Sequence, residues 1–546
     1  MKLKKIISQV KESYRKGIYT QNKVTYAFIL LLIMSTFSCQ IIERENEKEN
    51  YILTPEPSPR PKINGAKVFG VHPGNPFIYT IAATGRRPMT FSAENIPEGL
   101  KLDESTGRFS GYIKTPGTYK IKIYARNKLG KAERDFRIVV GEKLALTPPM
   151  GWNSWNGWGD YVTDENVRTT ADAMVKTDLI NHGWTYVNID VGWEGKRGGK
   201  YNAIQGNERF PEMKGLCDCV HSLGLKIGLY STPWIRTYFG YTGGSSDNKD
   251  GSIPYIPISK TSEIDHFVGK YKFDKNDVQQ WEEWGIDYLK YDGVSSSTEM
   301  PDSLDDLKYM SRALRNCKRD IVYSVVGGVR INNAEEKLPY INLWRTGHDI
   351  RDVWDRSSLT KDKWAQGLLN IWETHPIWAK VTQPGAWADP DMLVVGWVGF
   401  GDSTLHKTLL TPDEQYTHIS LWCLWSAPLF IGSPVEKLNK FEISLLSNDE
   451  VLEVDQDPLG QQASRVVKNG DGEVWMKSVE DGSKAVGLFN KSTAVLKVEA
   501  PWDSLGISGK QKVRDLWRQK NLGTFDRSFE AEVPSHGVVL VRMFSK

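Results

Sequence analysis

The spacing of hydrophobic positions changes twice along the chain, and the two changes divide it. From Lys62 to Val140 apolar and polar residues alternate in short runs with turn residues between them. TYKIKIYA (Thr118–Ala125) and RDFRIVV (Arg134–Val140) are examples, and no helical period appears. From Leu146 onward, short β-type runs alternate with stretches at helical spacing. VRTTADAMVKTDLINHG leads into WTYVNID (Trp184–Asp190), and MKGLCDCVHSLGL into KIGLYS (Lys226–Ser231). DVQQWEEWG leads into DYLKYD (Asp287–Asp292), and LDDLKYMSRALRN into IVYSVVG (Ile321–Gly327). NLWRTGHDI (Asn342–Ile350) and SLWCLWSAPLFIG (Ser420–Gly432) continue the series of strands. After Asp457-Pro458-Leu459-Gly460 the alternation returns in GEVWMKSV, KAVGLFN and HGVVLVRM, with turns at Asn469-Gly470 and Asp481-Gly482.

Strands that each follow a helix imply parallel pairing with both faces of the sheet covered. About eight such units suit an α/β protein built on a (β/α)8 TIM barrel, here over residues 146–458. An N-terminal β-sandwich over 62–141 and a C-terminal antiparallel β domain over 459–546 flank it. A doubly wound sheet is the alternative, but no Gly-rich phosphate loop accompanies it. Reactive groups of a barrel sit at the C-terminal ends of its strands. The corresponding positions here carry Asp190, Tyr230, Asp292, Asp349 and Asp391. Lys290 and Asp292 are two apart on one strand, so they share a face. Taken alone they are either an ion pair or the floor of an active site.

The N-terminus has its own character. Lysines and Arg15 precede the apolar run YAFILLLIMSTF (Tyr26–Phe37), followed by Ser38-Cys39. The run is short of the roughly 20 residues that a membrane span needs. A basic flank, a short apolar core and a small residue before a cysteine predict an export signal over 1–39. Cys39 is the expected lipidated residue of a lipoprotein, although Thr36 departs from that pattern. Residues 40–61, charged and then Pro-rich, read as a disordered tether. The protein is thus expected in the periplasm or at the cell surface, with membrane contact only through that anchor. Of the five cysteines, Cys217 and Cys219 face different sides of a helix and no metal-ligand spacing occurs, so free thiols are expected. Lys and Arg number 70 against 67 Asp and Glu, without a basic, aromatic-interleaved stretch, which gives no reason to expect a nucleic-acid partner. The 20 Trp and 22 Tyr fit a carbohydrate partner, since aromatic rings stack on sugar faces.

Two resemblances sharpen this picture. IPEGLKLDESTGRFSGYIKTPGTYKIKIYARNKLG resembles the immunoglobulin-like modules beside exported bacterial enzymes. PMGWNSWN (Pro149–Asn156), WTYVNIDVGWEG, GLKIGLYS, WGIDYLKYD, NLWRTGHDI, WADPDMLVVG, WSAPLFIG and VDQDPLG follow one another as in the α-galactosidase family, which also holds α-N-acetylgalactosaminidases. The resemblance, to glycoside hydrolase family 27, implies a retaining mechanism without a metal or organic cofactor. Asp292 matches its nucleophile and Asp349 its acid/base; Asp352 and Asp355 are competing candidates for the second role. The two carboxyl groups of such a pair stand roughly 5–5.5 Å apart. Lys290 matches a residue that touches sugar hydroxyls, and its charge is expected to keep Asp292 ionised. Arg345 matches the arginine that reaches the 2-hydroxyl. Trp155 matches the aromatic on the apolar sugar face, Asp190 a ligand of the outer hydroxyls, and Asp391 and Met392 the last strand-end contacts.

Four departures bear on specificity. The usual second acid after Asp190 is Val191, which accepts no hydrogen bond. The cysteine expected after Asp292-Gly293 is Val294, and its usual partner falls near Tyr238. Val326-Gly327-Gly328 replaces the residues that contact the sugar 2-substituent. A long insertion, Gly243–Lys270, is rich in Gly, Ser and Asp and is expected to wall or cover the site. The expected activity is therefore α-galactosidase. The alternatives are an α-glucoside or dextran-type substrate, a β-L-arabinopyranoside, or a glycan-binding protein without turnover.

Overall fold

The computed structural model describes residues 51–253, 267–294, 303–401 and 404–545. The export segment, most of the tether and the middle of the Gly243–Lys270 insertion lie outside them. Eight strands form the central parallel sheet: β1 (Met150–Asn153), β2 (Tyr186–Ile189), β3 (Lys226–Ser231), β4 (Tyr288–Tyr291), β5 (Val322–Val325), β6 (Leu343–Arg345), β7 (Trp387–Asp389) and β8 (Leu429–Ile431). Consecutive strands pair in parallel from β1 to β7, and β8 pairs with β1. The ring closes just past β7. Leu393 bridges Ile431, its amide donates to the Phe430 carbonyl at 2.7 Å, and its carbonyl accepts from Gly432 at 3.1 Å. This is a TIM barrel. Tyr186, Tyr288, Val322, Leu343, Trp387 and Phe430, one from each of six strands, form a buried cluster inside it.

Helices follow the strands: α1 (Asp164–Lys176), α2 (Met213–Ser222), α3 (Asp274–Trp284), α4 (Ser303–Arg315), α5 (Ala334–Lys337), α6 (Leu368–Thr374) and α7 (Pro412–Trp425). Their ends are set locally. Thr163 caps α1 by accepting from Asn166 N, while the Asn166 side chain returns the bond to Thr163 N. Thr411 and Glu414 do the same for α7, whose first residue is Pro412.

Three expectations need correction. Ser420–Trp425 is the end of α7, and only Leu429–Ile431 of SLWCLWSAPLFIG is strand. Every residue of α7 from Glu414 to Trp425 is buried, because the C-terminal domain covers its outer face, so it has no polar stripe to reveal a helix. In NLWRTGHDI only Leu343–Arg345 is strand, and the rest is the loop that carries Asp349. The tether to residue 61 is not free at its described end. Thr54 Oγ1 accepts from Asn448, and the Pro59 carbonyl accepts from Arg86 N and Asn127 Nδ2.

The N-terminal sandwich packs a four-stranded sheet against a three-stranded one over Phe77, Phe91, Phe109, Ile123, Phe136 and Ile138. It docks beneath the barrel. His72 and Asn75 bond Asp320, just before β5, and Thr80 and Arg108 donate to the carbonyls of Gly224 and Ser222, just before β3. The C-terminal domain is a six-stranded antiparallel sheet with a second, two-stranded sheet, Leu496–Pro501 against Ser528–Val533. Cys217, Cys219, Cys317 and Cys423 are free thiols. No helix of the described residues is long and apolar enough to cross a membrane.

Candidate active site

The C-terminal ends of the strands bring most of the expected residues together. At the end of β4, Lys290 Nζ lies 2.7 Å from Asp190 Oδ2, the acid just past β2. Asn153, the last residue of β1, donates to the same oxygen at 3.0 Å, and Val191 N donates to Asp190 Oδ1 at 2.9 Å. Asp190 is thus buried and held by three donors. Asp292 is held differently: Gly293 N donates to Oδ1 at 2.7 Å and the Tyr230 hydroxyl to Oδ2 at 3.2 Å. Tyr230 stands in register with Lys290 on the neighbouring strand. Gly293 has φ +78°, and a Cβ there would lie 2.4 Å from the Trp234 ring, so the residue after Asp292 has to be glycine.

Across the pocket Arg345 ends β6. Its Nη2 donates to Asp391 Oδ2 at 2.7 Å and to Asp349 Oδ1 at 3.2 Å. Asp391 also accepts from Ile350 N and Met392 N, at 2.8 and 2.7 Å. Lys290, Arg345, Asp391 and Met392 line one small cavity with Asp389 and Phe430. Asp349 is the open member of this side, its side chain 36% exposed. The competing acids have other partners. Asp352 accepts from Leu409 N and pairs with His406, while Asp355 caps a short helix through Ser357 N.

The two sides share one electrostatic environment. Burial raises the Asp292 carboxyl to about 6; Lys290 and the Gly293 amide oppose the rise, and Asp190 and Asp349 add to it. Lys290 favours ionised Asp292 through its charge, as expected, while its hydrogen bond goes to Asp190. Burial also pushes Asp349 upward, but Arg345, Lys290 and Arg351 outweigh it and hold that carboxyl below its usual range. Burial raises Asp389 to about 6 against the pull of Arg345. Lys290 stays above the usual lysine range, since Asp190 and Asp292 overcome its desolvation.

Aromatic residues wall the pocket. Trp155 packs on the barrel cluster, and its ring lies 5.1 Å from that of Phe239. Phe239 and Tyr238 form the tip of the loop after β3, where Tyr238 contacts Trp234 at 4.9 Å between centroids. Burial raises the Tyr238 hydroxyl above its usual range, and the charges of Asp292 and Asp349 add to the rise. Val191 is buried beside Asp190. Gly327 and Gly328 have φ +84° and +71° and face Val294, whose carbonyl oxygen would stand 2.7 Å from a Cβ on Gly327. The described edges of the insertion pair as Ser245–Ser246 with Tyr271–Lys272. Tyr230 was marked only by its strand-end position, with no role assigned, and Tyr238 and Asp389 were not among the expected site residues. Tyr230 is the last residue but one of KIGLYS and Asp389 ends WAD, so position near a strand end is the signal that marks both.

The chain matches the family model described as alpha galactosidase A over residues 147–252 and 259–457. It also matches the alpha galactosidase C-terminal beta sandwich domain over 469–543 and an Ig domain over 62–141. Alpha-galactosidase 2 of Arabidopsis thaliana is 34% identical over 404 residues, covering 73% of this chain and 90% of that protein. A crystal structure from Bacteroides fragilis superposes with TM-score 0.79 at 31% identity, covering 90% of this chain and 98% of the other. The β-L-arabinopyranosidase of Geobacillus stearothermophilus gives TM-score 0.61 at 27% identity, over 74% of this chain and 97% of that one.

Proposed function

The chain belongs to the α-galactosidase family of glycoside hydrolases, and from that premise we propose that it is a retaining α-galactosidase acting on terminal α-linked galactose by double displacement. Its relatives named α-galactosidases in plants and bacteria support the substrate class. The observation that carries the mechanism is the pair Asp292 and Asp349. They stand past β4 and β6, close enough for the charge of Asp349 to act on Asp292, each beside a cation that lines the small cavity, with unlike affinities for a proton.

In this reading ionised Asp292 attacks the anomeric carbon and forms a covalent glycosyl-enzyme. Asp349 gives a proton to the departing oxygen and then takes one from water. Arg345, bonded to Asp349, favours the ionised form of that acid, the opposite of what the first step needs. A sugar 2-hydroxyl that engages Arg345 weakens that ion pair, and closure of the pocket removes water. Both changes raise Asp349 toward the protonated form that the first step requires. Lys290 and Asp190 bind sugar hydroxyls, and Trp155 packs on the apolar face. The protein is also proposed to be exported and lipid-anchored at Cys39. Cys39→Ala moving the protein from the membrane pellet to the soluble fraction supports the anchor; an unchanged distribution argues against it.

The test of activity is initial rate on 4-nitrophenyl α-galactoside, α-glucoside, α-N-acetylgalactosaminide and β-L-arabinopyranoside. Preference for the first is expected. Val191 favours one second reading, a β-L-arabinopyranosidase, because that sugar lacks the hydroxymethyl group that a second acid would grip. The structural likeness to the Geobacillus enzyme supports the same alternative. No turnover with any of the four by a folded protein overturns the assignment.

A further inference from the structure

The N-terminal sandwich covers the end of the barrel opposite the active site. His72, Thr80 and Arg108 bond residues just before β5 and β3, and the Phe69 ring centroid lies 4.5 Å from Lys226 Nζ at the start of β3. Arg134 and Arg137 tie the same module to Glu453 and Glu480, at 2.9 and 2.5 Å. The chain that leads into the module runs at this end too. Thr54 accepts from Asn448, and Asp449, the next residue, takes His182 shortly before β2. Cations gather where that chain crosses the sandwich. Asn127 Nδ2 donates to the carbonyls of Pro59 and Arg86, both at 2.9 Å, and Arg86 N donates to the Pro59 carbonyl at 3.0 Å. Three segments thus meet at one point, and they bring Arg60, Arg86, Arg126 and Lys128 together, all exposed. The adjacent Arg87 is engaged with the Ala83 carbonyl and Asn181. Glu133 and Asp135, the acids on the neighbouring strand, already pair with Lys122 and Lys131. Among the described residues no ion pair takes up any of the four, so they form a net positive surface.

Clustered cations beside a lipid anchor add electrostatic attraction to an anionic bilayer, about fivefold in affinity per charge. The geometry points to a membrane-docking surface: Arg60, Arg86, Arg126 and Lys128 meet the phosphate headgroups of the bilayer that holds the anchor, and the active site opens on the opposite side. This inference rests on the proposed anchor at Cys39 and adds an orientation to it. About 15 residues lead from Cys39 to Thr54, so the lipid lies within about 50 Å of Thr54 even at full extension. That reach brings the bilayer to the sandwich end of the molecule. A tether alone leaves the contact face unchosen, and the four cations choose it. The substrate side of the barrel is then turned toward the medium, where long glycans meet no bilayer on their way in.

The experiment places the protein recovered from cell membranes in vesicles of phosphatidylcholine, alone or mixed with phosphatidylglycerol. A water-soluble reagent acetylates accessible lysines, and mass spectrometry reads each one. Lys128 reports on the proposed surface. Lys363 reports on the active-site end, since its segment meets Asp349 where Gln366 N donates to the Asp349 carbonyl at 2.9 Å. The expected result is a fall of about fivefold in Lys128 acetylation when phosphatidylglycerol is present, with Lys363 unchanged. High salt should abolish the protection by screening, which tests the surface without any substitution. Arg60→Glu/Arg86→Glu should abolish it as well, with activity on 4-nitrophenyl α-galactoside unchanged. A chain that floats with both kinds of vesicle and protects Lys128 in neither overturns the surface and leaves the anchor standing. Equal protection of Lys128 and Lys363 overturns the orientation. A chain that does not float with phosphatidylcholine alone overturns the anchor, and the inference with it.

Discussion

Two cations sit on opposite sides of the pocket, each between two carboxylates, yet they leave those acids in different states. Lys290 lies between Asp190 and Asp292 and gives its hydrogen bond to Asp190 alone. Arg345 lies between Asp349 and Asp391 and bonds both through one nitrogen. A lysine is a compact point charge and favours one partner; a guanidinium spreads several donors over a plane and holds two. Burial raises Asp292 to about 6 against the opposing charge of Lys290, whereas at Asp349 Arg345, with Lys290 and Arg351, outweighs burial and holds the carboxyl below its usual range. The balance of burial against nearby cations thus differs between the two acids and leaves Asp292 with the greater proton affinity.

The largest effect should come from removing the acid that lacks a direct cation. Asp292→Asn is expected to lower kcat by about a thousandfold or more, read with 4-nitrophenyl α-galactoside. The same change should stabilise the fold. With its carboxyl near 6 when folded and near 3.8 when unfolded, the native state binds the extra proton between those values. Stability therefore falls as pH rises through that window, by about 3 kcal/mol at neutral pH. The asparagine variant should accordingly melt higher than wild type at pH 7 and lose that advantage near pH 4. Equal melting temperatures at both values would remove the basis of the comparison.

On the other side Arg345→Met should cost stability, because it strands buried Asp391. A loss of about 3–5 kcal/mol is expected, measured from denaturant midpoints. A smaller effect concerns pH. Asp292 has to be ionised to attack, so kcat/KM should decline as pH falls through about 6. Lys290→Met removes the charge that opposes the effect of burial, and the acid limb should move upward by about one pH unit at whatever rate remains. An unmoved limb would mean that a different group controls it. The smallest change is expected from Val191→Asp, which restores an acid beside Asp190. It should shift the ratio of α-galactoside to β-L-arabinopyranoside cleavage toward galactose, by about tenfold at most if the buried position admits the charge.

The strands were legible because a buried parallel sheet concentrates β-branched and aromatic residues into short runs, and KIGLYS fills its strand end to end. The loop after β3 was not. Nothing in WIRTYFGYTGG says that Tyr238 will face two carboxylates more than fifty residues away. Partner choice was equally hidden: Lys290 and Asp292 share a face in sequence, but Asp190, a hundred residues earlier, takes the hydrogen bond. The local pattern at α7 was misleading for a different reason, since a helix enclosed on all sides loses the amphipathic period that identifies helices.

That enclosure also governs how the protein is assembled as it leaves the ribosome. Trp517 bonds Ser420, the carbonyl of His536 accepts from Thr417, and Leu424 packs beside Gly487. All three covering residues are synthesised after the last barrel strand. Until they emerge, α7 leaves Leu424 and Trp425, the ring that meets Trp475 of the C-terminal domain, without their cover, and an apolar face of that kind makes an incomplete chain prone to aggregate.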